Sequence, residues 1–243
     1  GGLVGQEVTL AGSAPGVSDV IVRVQRRDGS VQVERLPPGN ARFEILPPRG
    51  AGAVAWSYLV LGVEHILGGI DHLLFVLALL LVVRGLRRLV ATITAFTVAH
   101  SLTLVAATLG WVQVPGPPVE ALIALSIALV AAEVVLGLRG QPGQVAKAPW
   151  LIAFAFGLLH GLGFAGALAE VGLPGTALPL ALLTFNVGVE LGQLLFVAAV
   201  LSLRWLGTRF VPAPGAWQTA AVAYGLGSVA AYWTIDRVVA FWV

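Results

Sequence analysis

Residues 62–83 read GVEHILGGIDHLLFVLALLLVV. The run is apolar enough to lie in a bilayer, yet Glu64, His65, Asp71 and His72 fall within nine positions of it. An ionisable side chain near the centre of a membrane costs at least about 2.5 kcal/mol, so such a group marks function by default. How the rest of the chain surrounds these four residues decides both the fold and the function.

The chain has 243 residues, 58% of them hydrophobic and 11% charged. With a mean hydropathy of +0.91 it lies outside the range of soluble globular domains and reads as a polytopic membrane protein, with the lipid bilayer as its solvent. A pI near 9.5 does not make it a nucleic-acid binder, because the basic residues sit in short loops and in the N-terminal segment rather than in one patch. Cysteine and methionine are both absent, which excludes disulfides and every sulfur metal ligand. Gly1 stands where an initiator Met would, as expected of a chain that begins after a removed signal peptide or inside a longer protein.

Two units are expected: residues 1–50, an extracytoplasmic β-module with its linker, and residues 51–243, a transmembrane helical domain. Val20, Val22 and Val24 alternate with polar or mixed neighbours, Arg27, Asp28, Gly29 and Ser30 make a turn, and Val31 and Val33 resume the alternation. That pattern predicts a β-hairpin. Val8 to Leu10 and Phe43 to Ile45 predict edge strands, and Leu46, Pro47, Pro48, Arg49 and Gly50 read as a linker. A module this small has a marginal core. It is expected to rest on the membrane portion, where it offers a surface to a protein partner.

From Ala51 onward, apolar runs of spanning length, roughly 20 residues each, recur between short polar breaks. They cover 56–83, 89–109, 119–138, 150–169, 177–203 and 217–240. The first is too long for one straight crossing, and Gly68 and Gly69 predict a break into a shorter outer helix followed by the span proper. The expected fold class is an all-α polytopic membrane protein of six transmembrane helices, seven if the broken run counts twice, with a small N-terminal β-hairpin module.

Arg84, Arg87 and Arg88 follow the first span, Arg139 and Lys147 the third, Arg204 and Arg209 the fifth, whereas the breaks at 110–118 and 170–176 carry no Lys or Arg. By the positive-inside rule both termini face outward, in a bacterial inner membrane. The sequence also carries a partial repeat. At an offset of 60, Phe96 and His100 match Phe156 and His160, Ala121 and Leu122 match Ala181 and Leu182, and Ser126 matches Asn186. This predicts that spans two and three are related to spans four and five as parallel hairpins.

Depth can be counted from the cytoplasmic arginines at about 1.5 Å per residue. Asp71 and His72 then lie about 18 to 20 Å above Arg84, His100 about 18 Å above Arg88, and His160 about 17 to 20 Å above Lys147 or Pro149. Glu190 lies about 21 Å above Arg204, and Asn186 about 27 Å. The counts converge on one layer of histidines with a nearby Asp and Glu. Such an N/O ligand set suits a borderline divalent cation, Ni, Co or Zn.

The simpler reading of a lone buried histidine is an interhelical hydrogen bond. Here all four histidines fall in spans, three of them at one depth. Asp71 either ligates a metal directly or orients His72 from behind. His65 is seven residues from His72 and about 10 Å away along a continuous helix, so it suits an entrance or second site unless the Gly68–Gly69 break folds it inward. Asn186 and Glu190 share a helical face. Glu133 reads as structural or as an exit group, Glu120 and Glu170 as solvated, and Asp236 with Arg237 as a local ion pair. Gly157, Gly161, Gly163 and Gly166 around His160 read as close-packing residues. Ser101 and Thr97 are placed either to bond the His100 imidazole or to bond back to their own helix.

At these residues the chain resembles the HupE/UreJ family of hydrogenase and urease accessory membrane proteins, regarded as nickel or cobalt permeases. The resemblance runs from about Ala55 to Val239. It rests on His65 to His72, which fits the family's His-x5-Asp-His pattern, on Ala99 to Leu104, on Leu159 to Ala165, and on Phe185 to Gln193. It implies a permease for a divalent transition metal, for which the residue reading offers His72, His100 and His160 as holders, Asp71 as ligand or orienter, Glu190 with Asn186 as the contribution of the fifth span, and His65 as an entrance or second position. The β-module is an addition to the short members of that family.

Two other functions compete. One is a metal-dependent intramembrane hydrolase, in which zinc keeps an open position for water and Glu190 acts as base. No His-Glu-x-x-His motif is present to support it. The other is an accessory subunit docked into a larger complex through the β-module. No ATP-binding Gly-rich loop is present either, so uphill transport would draw on an ion gradient or a separate partner.

Overall fold

The computed structural model describes residues 4–9, 20–25, 31–36, 42–45, 47, 50–141, 143–171, 177–207, 209 and 215–241. The expected turn at Arg27 to Ser30, the strand end at Leu10, the linker residues Leu46, Pro48 and Arg49, the break at 172–176 and the side chains of Gly166 and Glu170 lie outside what is described.

Four short strands precede the helices: β1 (Glu7–Thr9), β2 (Val20–Gln25), β3 (Val31–Leu36) and β4 (Arg42–Glu44). β2 and β3 form the expected antiparallel hairpin, with Val20 opposite Leu36 and Gln25 opposite Val31. β1 and β4 do not extend its edges. They pair with each other, Val8 opposite Phe43, as a separate two-stranded sheet. The physical reason lies in the alternation: Val8, Phe43 and Ile45 share an apolar cluster with Val22 and Val24, so the two sheets meet through their apolar side chains.

The helices are α1 (Ala51–Gly68), α2 (Ile70–Val82), α3 (Leu86–Thr108), α4 (Gly116–Leu138), α5 (Gln144–Lys147), α6 (Pro149–Val171), α7 (Leu178–Gly207) and α8 (Ala216–Val239). Every expected span is helical. The first is divided at Gly69, which sits in extended conformation between α1 and α2 with its N–H still bonded to the His65 carbonyl. By length and composition α1, α3, α4 and α7 are able to cross a membrane, while α2 and the described apolar part of α6 are shorter. Gly85, with φ 91°, makes the tight turn from α2 to α3 that an L side chain would strain.

Three helix pairs hold the bundle together: α3 with α6, α1 with α7, and α4 with α8. Between membrane helices the hydrophobic effect gives little, so close packing must supply the attraction, and small residues permit it. Gly157 and Gly161 of α6 lie against the Phe96 and His100 carbonyls of α3, and added Cβ atoms there would collide with those oxygens. Phe96 meeting Gly157 and His100 meeting Gly161 show that α3 and α6 run parallel, as the repeat requires. Gly62 of α1 and Gly188 of α7 form a second seam, against the Phe185 and Leu59 carbonyls. The close-packing role read for the glycines of α6 therefore holds at Gly157 and Gly161. The main core gathers Phe75, Leu79, Ile93, Phe96, Ile127 and Val130 from α2, α3 and α4.

Candidate metal centre

The break at Gly69 sets the geometry of the site. In a continuous helix His65 and His72 would stand about 10 Å apart along the axis. The break instead brings their rings to a centroid distance of 4.7 Å. Only glycine fits there, since a Cβ at position 69 would sit 2.7 Å from His72 Nδ1. His100 on α3 completes the group, its ring 6.2 Å from that of His65. One ring nitrogen from each of His65, His72 and His100 lies within 4.8 Å of the others. His160 on α6 faces His72 from another side, with centroids 5.1 Å apart.

Two hydrogen bonds fix which nitrogens face inward. The Asn186 amide donates to the Leu182 carbonyl at 2.8 Å, which points its oxygen at His100 Nδ1, 3.2 Å away. His100 must donate from Nδ1, so its lone pair is on Nε2, and Nε2 has no partner among the described residues. Ser126 plays the same part for His160. Its hydroxyl donates to the Ile123 carbonyl at 2.7 Å, so at 3.4 Å it accepts from His160 Nε2 and leaves the lone pair on Nδ1. That atom also lacks a partner, as do both ring nitrogens of His72. His72, His100 and His160 are all buried. Orphaned imidazole nitrogens in an apolar bundle are costly. A histidine held at one nitrogen and open at the other is the arrangement a metal ligand needs.

The two orienting residues are those that the repeat pairs with each other. His100 belongs to the α3–α4 half and is held by Asn186 of the α6–α7 half, while His160 belongs to α6–α7 and is held by Ser126 of α3–α4. Each half thus supports the other's histidine.

The remaining expected site residues are placed differently. Asp71 pairs with Arg237 of α8 at 3.3 Å rather than with His72. Glu190 accepts from Thr94 at 2.6 Å, outside the three-histidine group. Ser101 and Thr97 bond back to the Thr97 and Ile93 carbonyls of their own helix. Thr97 also donates to Gln193, a buried residue that the sequence reading left without a role. Its only signal was a lone amide in an apolar run. Glu133 Oε1 accepts the Gln144 backbone N–H at 3.0 Å, which is a structural part.

Toward the Arg84 end the histidines rest on aromatic rings. Phe75, Phe96 and Phe156 each lie about one helical turn from a site histidine. Their rings meet at 5.2 Å (Phe75 to Phe96) and 6.0 Å (Phe75 to Phe156). Phe96 also stands 5.0 Å from His160. Further along α2, a cavity of about 440 Å³ opens among Leu81, Arg84, Arg88, Glu133, Gly137 and Thr219.

Helices long and apolar enough to cross a membrane, packed around a group of histidines, define a helical bundle of the membrane-protein class with a candidate metal site. Residues 44–237 match the family model described as HupE / UreJ protein, and the chain belongs to that family. The match begins in β4 and ends at Arg237. Membership carries a membrane role in metal handling, of the nickel or cobalt accessory or permease kind. No curated protein and no solved structure matches the chain.

Proposed function

We propose that the protein is a permease for a divalent transition metal, with Ni or Co as cargo and Zn as the alternative. The observation that carries this is the set of buried ring nitrogens on His72, His100 and His160 that have no partner among the described residues, while Asn186 and Ser126 fix the opposite nitrogens of His100 and His160. His65 and His72 meet across a broken helix, and transporters commonly bind their cargo where a membrane helix is interrupted. An all-imidazole group suits a borderline cation that must also be released, because binding competes with protonation of the ring.

In this reading the Arg84 end is cytoplasmic and both termini are extracytoplasmic, in a bacterial inner membrane, on the asymmetry of Lys and Arg. The β-module then faces outward and is free to meet a partner. The hydrolase alternative gains nothing from the geometry, since no carboxylate joins the three-histidine group among the described residues and Glu190 is engaged by Thr94.

The test is uptake of Ni²⁺, Co²⁺ and Zn²⁺ into vesicles holding the purified protein, paired with equilibrium binding from pH 8 to pH 5. Binding is expected to be strongest at high pH and to weaken as pH falls, because a protonated imidazole has no lone pair to give. Binding without uptake in any condition would replace the permease with a sensor or an enzyme.

A further inference from the structure

Arg237 does more than pair with a neighbour in its own helix. It lies near the end of α8, yet it reaches Asp71 of α2 at 3.3 Å. It also donates to the Glu120 backbone carbonyl of α4 at 2.8 Å, and its Nε stands 3.9 Å from the Glu120 carboxylate. One guanidinium therefore sits between two carboxylates, and one of these is next in the chain to His72.

Imidazoles are neutral ligands, so a dication held by histidines alone carries its whole charge into a medium of low dielectric. It needs a counter-charge close by. Two carboxylates adjoin a site histidine in the chain, Glu64 beside His65 and Asp71 beside His72; Glu64 is exposed, and Asp71, the more buried of the two, is occupied by Arg237. We propose that Arg237 is a tethered counter-cation: it holds Asp71 while the histidines are empty, moves onto Glu120 when a divalent metal arrives, and returns to Asp71 as the metal leaves. Burial of the three side chains fits these roles. Asp71 and Arg237 are 26% and 24% exposed, and Glu120 is 55% exposed, so Glu120 is the wetter of the two resting places for the guanidinium. The exchange breaks no covalent bond and needs no co-reactant. It gives the site a means of release, because the returning guanidinium removes the metal's nearest counter-charge. It also selects for charge, since a monovalent cation gains less than a dication from taking Asp71 away from a guanidinium.

This inference rests on the reading of the histidines as a metal site. The experiment is equilibrium binding of Ni²⁺, Co²⁺ and Zn²⁺ to the purified full chain and to R237Q, R237K, E120Q, D71N and the D71N/R237Q double variant, each checked for a monodisperse folded state. R237Q should bind metal about 10-fold or more tighter, the scale on which a neighbouring charge acts at a few ångströms. R237K keeps the charge and should stay within about 3-fold of the parent, less than the 1.4 kcal/mol of a tenfold change. E120Q removes the second resting place and should bind more weakly. D71N should bind more weakly and should erase the gain from R237Q. If R237Q binds as the parent does, or less tightly, Arg237 is only a clamp joining α2, α4 and α8, and the counter-cation account fails. If R237Q does not fold, E120Q decides: binding equal to or tighter than the parent's overturns the account. If the parent binds none of the three metals, the metal reading itself falls and this inference falls with it.

Discussion

The α3–α4 and α6–α7 segments carry matched residues at an offset of 60, and they place their histidines in unequal positions. His100 and His160 both sit on parallel helices, each about one turn above a phenylalanine, and each is held by the other segment's polar residue. Among the described residues only His100 joins His65 and His72 in the three-nitrogen group; His160 lies outside it, its ring 5.1 Å from that of His72. Their supports differ too. Asn186 is locked by its own bond to Leu182 and meets His100 at 3.2 Å, while Ser126 meets His160 at 3.4 Å. The two halves supply similar parts, and the unpaired helices α1 and α2 decide which part becomes primary. A broken helix laid against a near-symmetric pair turns it into a site with a first position and a second one.

The largest effect should separate the two histidines. Removing His100 should weaken metal binding by more than the roughly 10- to 100-fold typical of lost orienting partners, because a ligand itself is gone. His160→Ala should retain binding within about that range and lose mainly uptake. Equal losses in calorimetric binding would merge the two positions into one four-histidine site. Unchanged binding in both variants would remove the site altogether.

A smaller effect should separate the two supports. Asn186→Ala frees His100 to turn and leaves its Nδ1 without an acceptor, so binding should fall about 10-fold, with Asn186→Asp recovering part of it. Ser126→Ala should cost binding less than this and should lower uptake, since it supports the second position. The reverse order, with Ser126 the costlier loss in binding, would place the primary position at His160.

Much of this was legible in the sequence, for reasons particular residues make plain. Helical periodicity and run length gave the spans, and Gly68 with Gly69 gave the break. The matched pairs at an offset of 60 anticipated the parallel course of α3 and α6, and among them Ser126 with Asn186 held the two orienting residues, but α3 packs on α6 and α4 on α8 rather than as the two expected hairpins. Counting residues from the basic loops brought His72, His100 and His160 to one level. What a count cannot give is the angle at a break. A straight helix puts His65 about 10 Å away from His72, and only the extended backbone at Gly69 folds it in. Nor does a count along a helix give height when the helix crosses at an angle. On α7 it favoured Glu190 for the layer, whereas Asn186 meets His100. Arg237 was read with its neighbour Asp236, because a contact with Asp71 across 166 residues leaves no local trace.

His65, His72 and His100 are proposed to share one metal ion, and X-ray absorption at the metal edge of Ni-loaded protein decides whether they do. One metal per chain is expected, with the scattering pattern of three imidazole rings in the parent, three in His160→Ala and two in His100→Ala. A first shell of carboxylate or water oxygens without imidazole, or a ring count that falls with His160→Ala and not with His100→Ala, would contradict it.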